Sequence, residues 1–318
     1  MLEIEKKYWD KGIKYVAGID EAGRGPLAGP VVAASVIFNP NEEIEDIRDS
    51  KKLSDKKRNY LFDIITEKAV SIGVGIVHED KIDEINILKA TFLAMNKSIG
   101  ELNVNPEQIL VDGPYSNIKL YSVEHIINGD NLSQSIAAAS IIAKVTRDRL
   151  MKEYDKIFSE YGFSKHKGYG TKLHIKMIKK IKSSPIHRKS FKIVNENIPN
   201  YSFFKKNKHG LNNLGNQIIA TKYVRNKHIF IDKNIEFGDI TIDYCFLSSV
   251  TKKLLFIKTI VKNNSNNKRI DEYKNLDKSI YKHLVDKYIK KNNYDKKYSF
   301  SVISIEFTKS KKPIINIL

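Results

Sequence analysis

The 318-residue chain has one cysteine, Cys245. A single thiol excludes an intramolecular disulfide and a cysteine-built zinc site, and it fits a reducing, cytoplasmic location. No apolar run approaches the roughly 20 residues that a membrane-spanning helix needs. Residues 1–10 are charged and lack the apolar centre of a secretory signal. No internal repeat is evident. Acids are scarce beside bases, 37 Asp and Glu against 55 Lys and Arg, for a formal net charge of +18. That excess favours polyanionic partners, nucleic acid first. The chain is rich in Lys, Asn and Ile throughout, so compositional bias accounts for part of it, and charge by itself decides little. What is present suffices for real cores: 41% of residues are hydrophobic, and the length suggests two domains of about 150 residues each.

The chain is organised around Gly18-Ile19-Asp20-Glu21-Ala22-Gly23-Arg24-Gly25-Pro26. The apolar run 15–19 ends in two adjacent acids, and glycines, an arginine and a proline follow. This predicts a strand and then a tight turn. Adjacent strand side chains point to opposite faces, so one acid points away from the sheet and the other needs its own reason to lie near the core. Residues 30–38 read as the second strand of a hairpin, and Ser54 as the cap of a helix to about residue 69. Residues 70–77 read as a third strand, 86–102 as a helix, and 108–111 as a buried strand ending in Asp112-Gly113. Residues 120–127 read as a strand leading into Gly129-Asp130. In the helix predicted over 133–154, the small residues Ala137, Ala138, Ala139, Ser140 and Ala143 let the first half lie close to a sheet. A loop over 165–171 and a basic helix over 172–182 follow. Residues 195–210 are Asn- and Lys-rich and read as a linker. Beyond it, helices are expected over 214–224 and 280–289, strands over 240–246, 253–261 and 300–307, and a low-complexity loop over 263–269.

In the first part, Asp20-Glu21, Asp112-Gly113 and Gly129-Asp130 each follow a β-rich run and border a turn. Strand ends at one sheet edge bring such acids together. A cluster of carboxylates needs compensating charge, because like charges raise one another's pKa. Hard divalent cations, Mg²⁺ or Mn²⁺, supply it, and a pair of them about 4 Å apart can hydrolyse a phosphodiester. Each acid in isolation reads as a solvated turn residue; the signal lies in their combination with Lys51, Lys52, Lys144, Arg147, Lys165 and Lys167, which can line a phosphate path.

Four motifs in order resemble bacterial ribonuclease HII from about residue 15 to 191: residues 20–27, Asp49-Ser50-Lys51-Lys52-Leu53-Ser54, residues 136–148 (IAAASIIAKVTRD) and His166-Lys167-Gly168-Tyr169-Gly170. The resemblance implies an α/β, ribonuclease H-like fold, with a mixed five-stranded sheet, flanking helices and extra C-terminal helices. It implies a site of Asp20, Glu21, Asp112 and Asp130 using Mg²⁺ or Mn²⁺. It implies cleavage of the RNA strand of RNA–DNA hybrids and incision on the 5′ side of single ribonucleotides in duplex DNA, leaving 3′-hydroxyl and 5′-phosphate ends. Gly23-Arg24-Gly25 then matches the motif that senses the 2′-hydroxyl at the RNA–DNA junction. Tyr169 matches the tyrosine that packs on the next, deoxy, sugar. Lys51 and Lys144 are candidate phosphate contacts.

The second part resembles a smaller family, the YraN-type restriction-endonuclease-like domains. Gly215, Ala220 and Tyr223, residues 238–242, 256–260 and 300–303 carry the likeness. The departures fall at that family's metal site, where Thr241, Lys258 and Ile260 replace Asp, Glu and Lys. A cation in place of a metal carboxylate repels Mg²⁺, so a fold without nuclease activity is expected; Asp239 and Asp243 are at the wrong spacing to substitute. The expected organisation is a catalytic domain over 1–194, a linker over 195–210 and a degenerate domain over 211–318. Two alternatives are a nucleic-acid-binding protein without catalysis and a transposase- or resolvase-type nuclease. Intact carboxylates count against the first, and the ribose-directed Gly23-Arg24-Gly25 and Tyr169 against the second.

Overall fold

Two successive runs of small and β-branched residues make β1 (Val16–Ala22) and β2 (Val31–Ile37), which are buried along almost their whole length. In the computed structural model, which describes residues 1–47, 49–206, 210–238, 240–262, 278–307 and 313–318, they pair antiparallel from Ala17↔Ile37 to Ala22↔Val32. β3 (Ser71–Val77) continues antiparallel beside β2. β4 (Gln108–Asp112) and β5 (Val123–Ile126) add in parallel on the other side of β1, giving the order β3-β2-β1-β4-β5. The sheet is mixed and five-stranded, the ribonuclease H-like arrangement expected.

The two faces have different covers. Ala17, Ile19, Val31, Ala33 and Ile37 pack with Ala90, Ala94 and Met95 of a helix at Ile87–Gly100. Val32, Ala34 and Val36 pack with Leu61 and Ile65 of a helix at Asp55–Lys68, and with Ala137, Ala138 and Ala139 of the long helix Gln134–Ile157. These helices, with Glu3–Trp9 and Glu79–Ile85, are numbered in chain order: α1 (Glu3–Trp9), α2 (Asp55–Lys68), α3 (Glu79–Ile85), α4 (Ile87–Gly100) and α5 (Gln134–Ile157). The small-residue half of α5 lies almost on the sheet backbone. A Cβ added at Gly18 would fall 2.1 Å from the Ser135 carbonyl carbon. Ser54 caps α2 by accepting from Lys57 N–H, as its side chain and position predict. α6 (Phe163–His166), α7 (Lys172–Ile181) and α8 (Lys192–Asn195) complete the C-terminal helices, and the Thr171 side chain caps α7.

The described residues divide into two compact units, Met1–Lys152 with Tyr161–Ile198, and Glu153–Glu160 with Pro199–Leu318. In the second, α9 (Tyr201–Lys206) and α10 (Gly210–Arg225) precede a sheet of β6 (Ile229–Phe237), β7 (Ile240–Leu247), β8 (Leu254–Lys262), β9 (Tyr298–Glu306) and β10 (Ile314–Ile317), with α11 (Lys278–Lys291) before β9. The order is β10-β9-β8-β7-β6, with only β8 and β9 parallel. Phe256, Cys245, Tyr281, Val285 and Tyr288 centre its core.

Three local expectations are corrected. β1 does not stop at Ile19; the ladder with β2 carries it through Asp20, Glu21 and Ala22. β5 is only Val123–Ile126, shorter than 120–127. Within the segment read as linker, 195–210, α9 spans Tyr201–Lys206 and α10 begins at Gly210, with 207–209 outside the described residues. β6, β10 and α1 were not expected at all. Asp239 and the low-complexity stretch 263–269 also lie outside the described residues.

Candidate active site

Strand alternation decides where the adjacent acids go. Asp20 pairs with Ala34, so it shares the α5 face with Gly18; Glu21 pairs with Ala33 and faces α4. Asp112 ends β4, the parallel neighbour of β1, and Asp130 lies in the 3₁₀ turn Gly129–Asn131 that follows β5. Three of the four carboxylates converge: Asp20, Asp112 and Asp130 each offer an oxygen within 4.8 Å of the others. Glu21 is not in that group. Its Oε1 accepts from Arg24 Nη1 at 3.1 Å, and it shares the wall of a cavity of about 180 Å³ with Arg24, Phe92, Met95, Asp112 and Tyr115.

Local hydrogen bonds set the orientation of each acid. Asp20 Oδ1 accepts Glu21 N–H at 2.7 Å, Asp112 Oδ1 accepts Gly129 N–H at 2.7 Å, and Asp130 Oδ1 accepts Asn131 Nδ2 at 2.8 Å. The bond from Gly129 ties the turn that carries Asp130 to the end of β4. The cluster is electrostatically strained. Burial, then the charges of Glu21 and Asp112, push Asp20 well above the usual carboxylate range. Burial raises Glu21 despite Arg24, and burial with Asp49 and Asp112 raises Asp130. Lys51 Nζ stands 3.9 Å from Asp130 Oδ2 on an exposed stem. Burial opposes its charge, but Asp49, Asp20, Asp130 and Asp112 together outweigh that and raise its pKa. One lysine does not balance so many acids. All-oxygen donors at this spacing fit hard divalent cations of the Mg²⁺ or Mn²⁺ kind, and the raised pKa values are the mark of a site completed by cation charge.

Beside the acids, Gly23 is at φ +98°, and a Cβ there would meet Arg147 Nε at 2.2 Å, so a side chain is excluded on both counts. Arg24 is half exposed. A Cβ on Gly25 would lie 3.8 Å from Tyr169 Cε1, which brings the Gly23-Arg24-Gly25 turn and the Tyr169 ring together. Tyr169 is 43% exposed, with Lys144 Nζ 5.8 Å from its ring centroid. Lys144 also pairs with Asp148 at 2.9 Å.

Two of the cations assigned to a phosphate path are elsewhere. Arg147 is fully buried and donates to the carbonyls of Pro30, Lys167 and Ala28 at 2.9–3.0 Å. Lys167 is buried too, its Nζ bonded to the Ser164 carbonyl. Lys51, Lys52 and Lys165 remain on the surface. Three contributors escaped the sequence reading. Arg188, fully buried, reaches the carbonyls of Gly23, Arg24, Gly29 and Pro30, and with Arg147 it pins the whole 23–30 loop. Asp49 adds a further carboxylate beside Asp130. Ser140 of α5 bonds Ser50 Oγ at 2.8 Å and assists Asp20. Asp49, Ser50 and Ser140 all stand inside the motifs that carry the resemblance, but nothing in the sequence distinguishes a buried arginine from a surface one.

A family model described as ribonuclease HII matches residues 17–194. The chain belongs to the ribonuclease HII family. It is thus a ribonuclease H-type enzyme acting on RNA–DNA hybrids. A curated ribonuclease HII of Clostridioides difficile (strain 630) is 54% identical over 188 residues, 59% of this chain and 74% of that protein. That of Acholeplasma laidlawii (strain PG-8A) is 53% identical over 190 residues, 60% of this chain and 93% of that protein. The solved ribonuclease H2 of Pyrococcus horikoshii OT3 is 26% identical with a TM-score of 0.50, covering 57% of this chain and 96% of that one. The family model covers the first part of a two-unit chain. Among the described residues no helix is long and apolar enough to cross a membrane.

In the second unit, Asp243 is buried and bonded by Thr259 N–H at 2.6 Å and by Asn216 Nδ2 at 3.3 Å, with Lys258 Nζ 3.4 Å away. The lysine sits against the acid. Among the described residues the grouping able to hold a metal is at Asp20, Asp112 and Asp130.

Proposed function

We propose that this ribonuclease HII incises duplex DNA on the 5′ side of an embedded ribonucleotide, as well as cutting RNA–DNA hybrids, and so serves ribonucleotide removal in the cytoplasm. The convergence of Asp20, Asp112 and Asp130 beside the Gly23-Arg24-Gly25 turn and Tyr169 carries the reading. Asp20, Glu21, Asp112 and Asp130 are the metal-holding set, which Glu21 would join by leaving Arg24. Bound Mg²⁺ or Mn²⁺, as a pair, supplies charge neutralisation at the phosphodiester and an activated water, giving 3′-hydroxyl and 5′-phosphate ends. The protein's part is positioning. The backbone of Gly23-Arg24-Gly25, pinned by Arg188 and free of side chains at both glycines, approaches a 2′-hydroxyl edge. The Tyr169 ring packs on the following deoxyribose, where a 2′-hydroxyl would clash. Lys51 and Lys144 contact neighbouring phosphates.

The second unit is read as a YraN-type fold without nuclease chemistry. Lys258 against Asp243 supports this, because an ammonium at that position offsets the buried acid there. The expected domain organisation, 1–194 and 211–318, is retained in this reading.

The test is cleavage of a duplex with one ribonucleotide in the presence of Mg²⁺, Mn²⁺ or EDTA, with the cut position mapped. A cut 5′ of the ribonucleotide with either ion, and none in EDTA, is expected. Asp20→Asn abolishes cleavage and leaves metal-free binding in place; unchanged cleavage removes Asp20 from the metal set.

A further inference from the structure

Three histidines stand behind the Tyr169 loop, away from the surface that substrate would meet. His174 and His187 are buried. His166 stacks on His174 with ring centroids 4.3 Å apart, and Tyr161 and Phe163 close around them at 4.9–5.8 Å. Nothing in the carboxylate site or in the turn that reads the sugar uses these rings.

Their hydrogen bonds fix where every proton lies. The Tyr169 carbonyl, 2.9 Å from His174 Nδ1, only accepts, so His174 carries its proton on Nδ1 and presents a lone pair at Nε2. Ser184 N–H, 3.0 Å from His187 Nδ1, only donates, and the Ser184 hydroxyl at 2.8 Å can donate to the same nitrogen, so His187 carries its proton on Nε2. Those two Nε2 atoms are 3.0 Å apart, and the assignments match: one donates and the other accepts. The result is a one-way relay from Ser184 N–H through His187 and His174 to the Tyr169 carbonyl. His166 braces the same loop in parallel, with Nε2 on the Tyr161 carbonyl at 2.8 Å and Nδ1 accepting Gly168 N–H at 3.2 Å. Burial suits the neutral relay, holding His174 down to about 4 and His187 well below its usual value.

We propose that His174, locked in its tautomer by His187, is a positioning residue for Tyr169 and thereby sets the enzyme's preference for the RNA–DNA junction. Every polar backbone atom of Tyr169 is tied down: its N–H goes to the His166 carbonyl at 2.9 Å, and its carbonyl takes Thr171 N–H at 2.8 Å besides His174. The ring, by contrast, is partly exposed, with the Gly25 turn beside it. A ring that excludes a 2′-hydroxyl by contact works only if its backbone cannot retreat, and the relay removes that retreat. The inference rests on the reading of Tyr169 as the group packed on the deoxyribose after the junction.

The experiment compares wild type, His174→Asn and His174→Phe on two substrates with Mg²⁺: a duplex with one ribonucleotide, and a fully RNA strand paired with DNA. Asn keeps an N–H where Nδ1–H was; Phe fills the space without a donor. His174→Phe is expected to lose about tenfold or more in the ratio of kcat/KM between the two substrates, with scattered cut positions, while His174→Asn keeps a ratio near wild type. A merely structural histidine lowers the melting temperature and both rates together; an unmoved ratio in a folded His174→Phe overturns the proposal. Should that variant fail to fold by circular dichroism, His187→Asn, which removes the donor to His174 Nε2, takes its place: a lowered ratio supports the proposal and an unmoved one overturns it. If wild type makes no cut at the single ribonucleotide, the underlying reading of Tyr169 fails, and that result is visible before any variant is compared.

Discussion

Asp130 accepts one hydrogen bond from Asn131, lies 3.9 Å from Lys51, and otherwise faces Asp20, Asp112 and Asp49. Folding therefore raises its pKa, chiefly by burial. The sign follows. A carboxyl that holds its proton more tightly when folded costs stability as pH rises past its unfolded value, so near pH 7 without metal it opposes folding. Asp130→Asn keeps the acceptor oxygen for Asn131 and removes the charge. In chelator at pH 7 the variant is expected to be more stable, with a raised melting temperature. Added Mg²⁺ or Mn²⁺ should then stabilise it less than wild type. Thermal melts with and without the ion measure both; a variant less stable in chelator would mean that Asp130 is held by attraction and not strained by repulsion. The acids of this cluster were legible from their strand-end positions taken together with the bases around them and the motifs that carry the resemblance. Its third-party supports were not: Arg147 reads in sequence as one more base on a basic helix face, yet its guanidinium is wholly buried among carbonyls.

The carboxylates keep their geometry because β1 and α5 touch backbone to backbone. Gly18 makes this possible: an added Cβ would fall 2.1 Å from the Ser135 carbonyl carbon and 2.2 Å from Ile136 N, both main-chain atoms that cannot swing aside. Gly18→Ala must push α5 off the sheet and carry Ser140 away from Asp20. A loss of about 3 kcal/mol is expected from the overpacking, with cleavage reduced beyond what the unfolded fraction explains; urea titration alongside single-turnover rates separates the two. A variant as stable and as active as wild type would mean that α5 is free to shift without consequence. At this scale the first sheet was readable because its strands obey simple patterns, continuous apolar runs for the buried β1 and β2. The exceptions have physical causes. β1 overran its predicted end because β2 supplies partners as far as Ala22↔Val32, regardless of charge on Asp20 and Glu21. β6 carries Asp232, Lys233, Asn234 and Glu236, and a register shift between Phe230 and Asp232 breaks the period-2 pattern that would have announced it. β10 is an edge strand whose residues are mostly exposed, so little burial pattern is written into it. α1 is one short charged helix whose apolar residues, Ile4, Tyr8 and Trp9, make sense only against Val16, Leu110, Ile126 and Ile136.

The molecule consists of two units, each with its own sheet and core, and the chemistry is concentrated in one. Asp20, Glu21, Asp112, Asp130, the 23–25 turn, Tyr169, both buried arginines and the histidine relay all fall within Met1–Lys152 and Tyr161–Ile198. The second unit has its own buried acid, Asp243, but a lysine 3.4 Å away occupies the charge-compensating role that a cation takes in the first. These observations make two joint expectations. A chain ending at Asn200 should fold and retain both junction cleavage and metal dependence, because no residue of the proposed site is removed. Full-length Asp20→Asn should show no residual nuclease activity on RNA–DNA hybrid, single-ribonucleotide duplex or plain duplex DNA with either ion, because the described residues of the second unit offer no metal set to fall back on. The first is read by comparing kcat/KM of the two chains on the single-ribonucleotide duplex over a range of salt. A higher value for the full chain at low salt, falling more steeply with salt until the two chains converge, means that the second unit's lysines add only non-specific phosphate contacts. A shortened chain that folds by circular dichroism and does not cut means that the second unit is part of the catalytic machine, and residual metal-dependent cleavage in Asp20→Asn means that Asp243 ligates an ion despite Lys258.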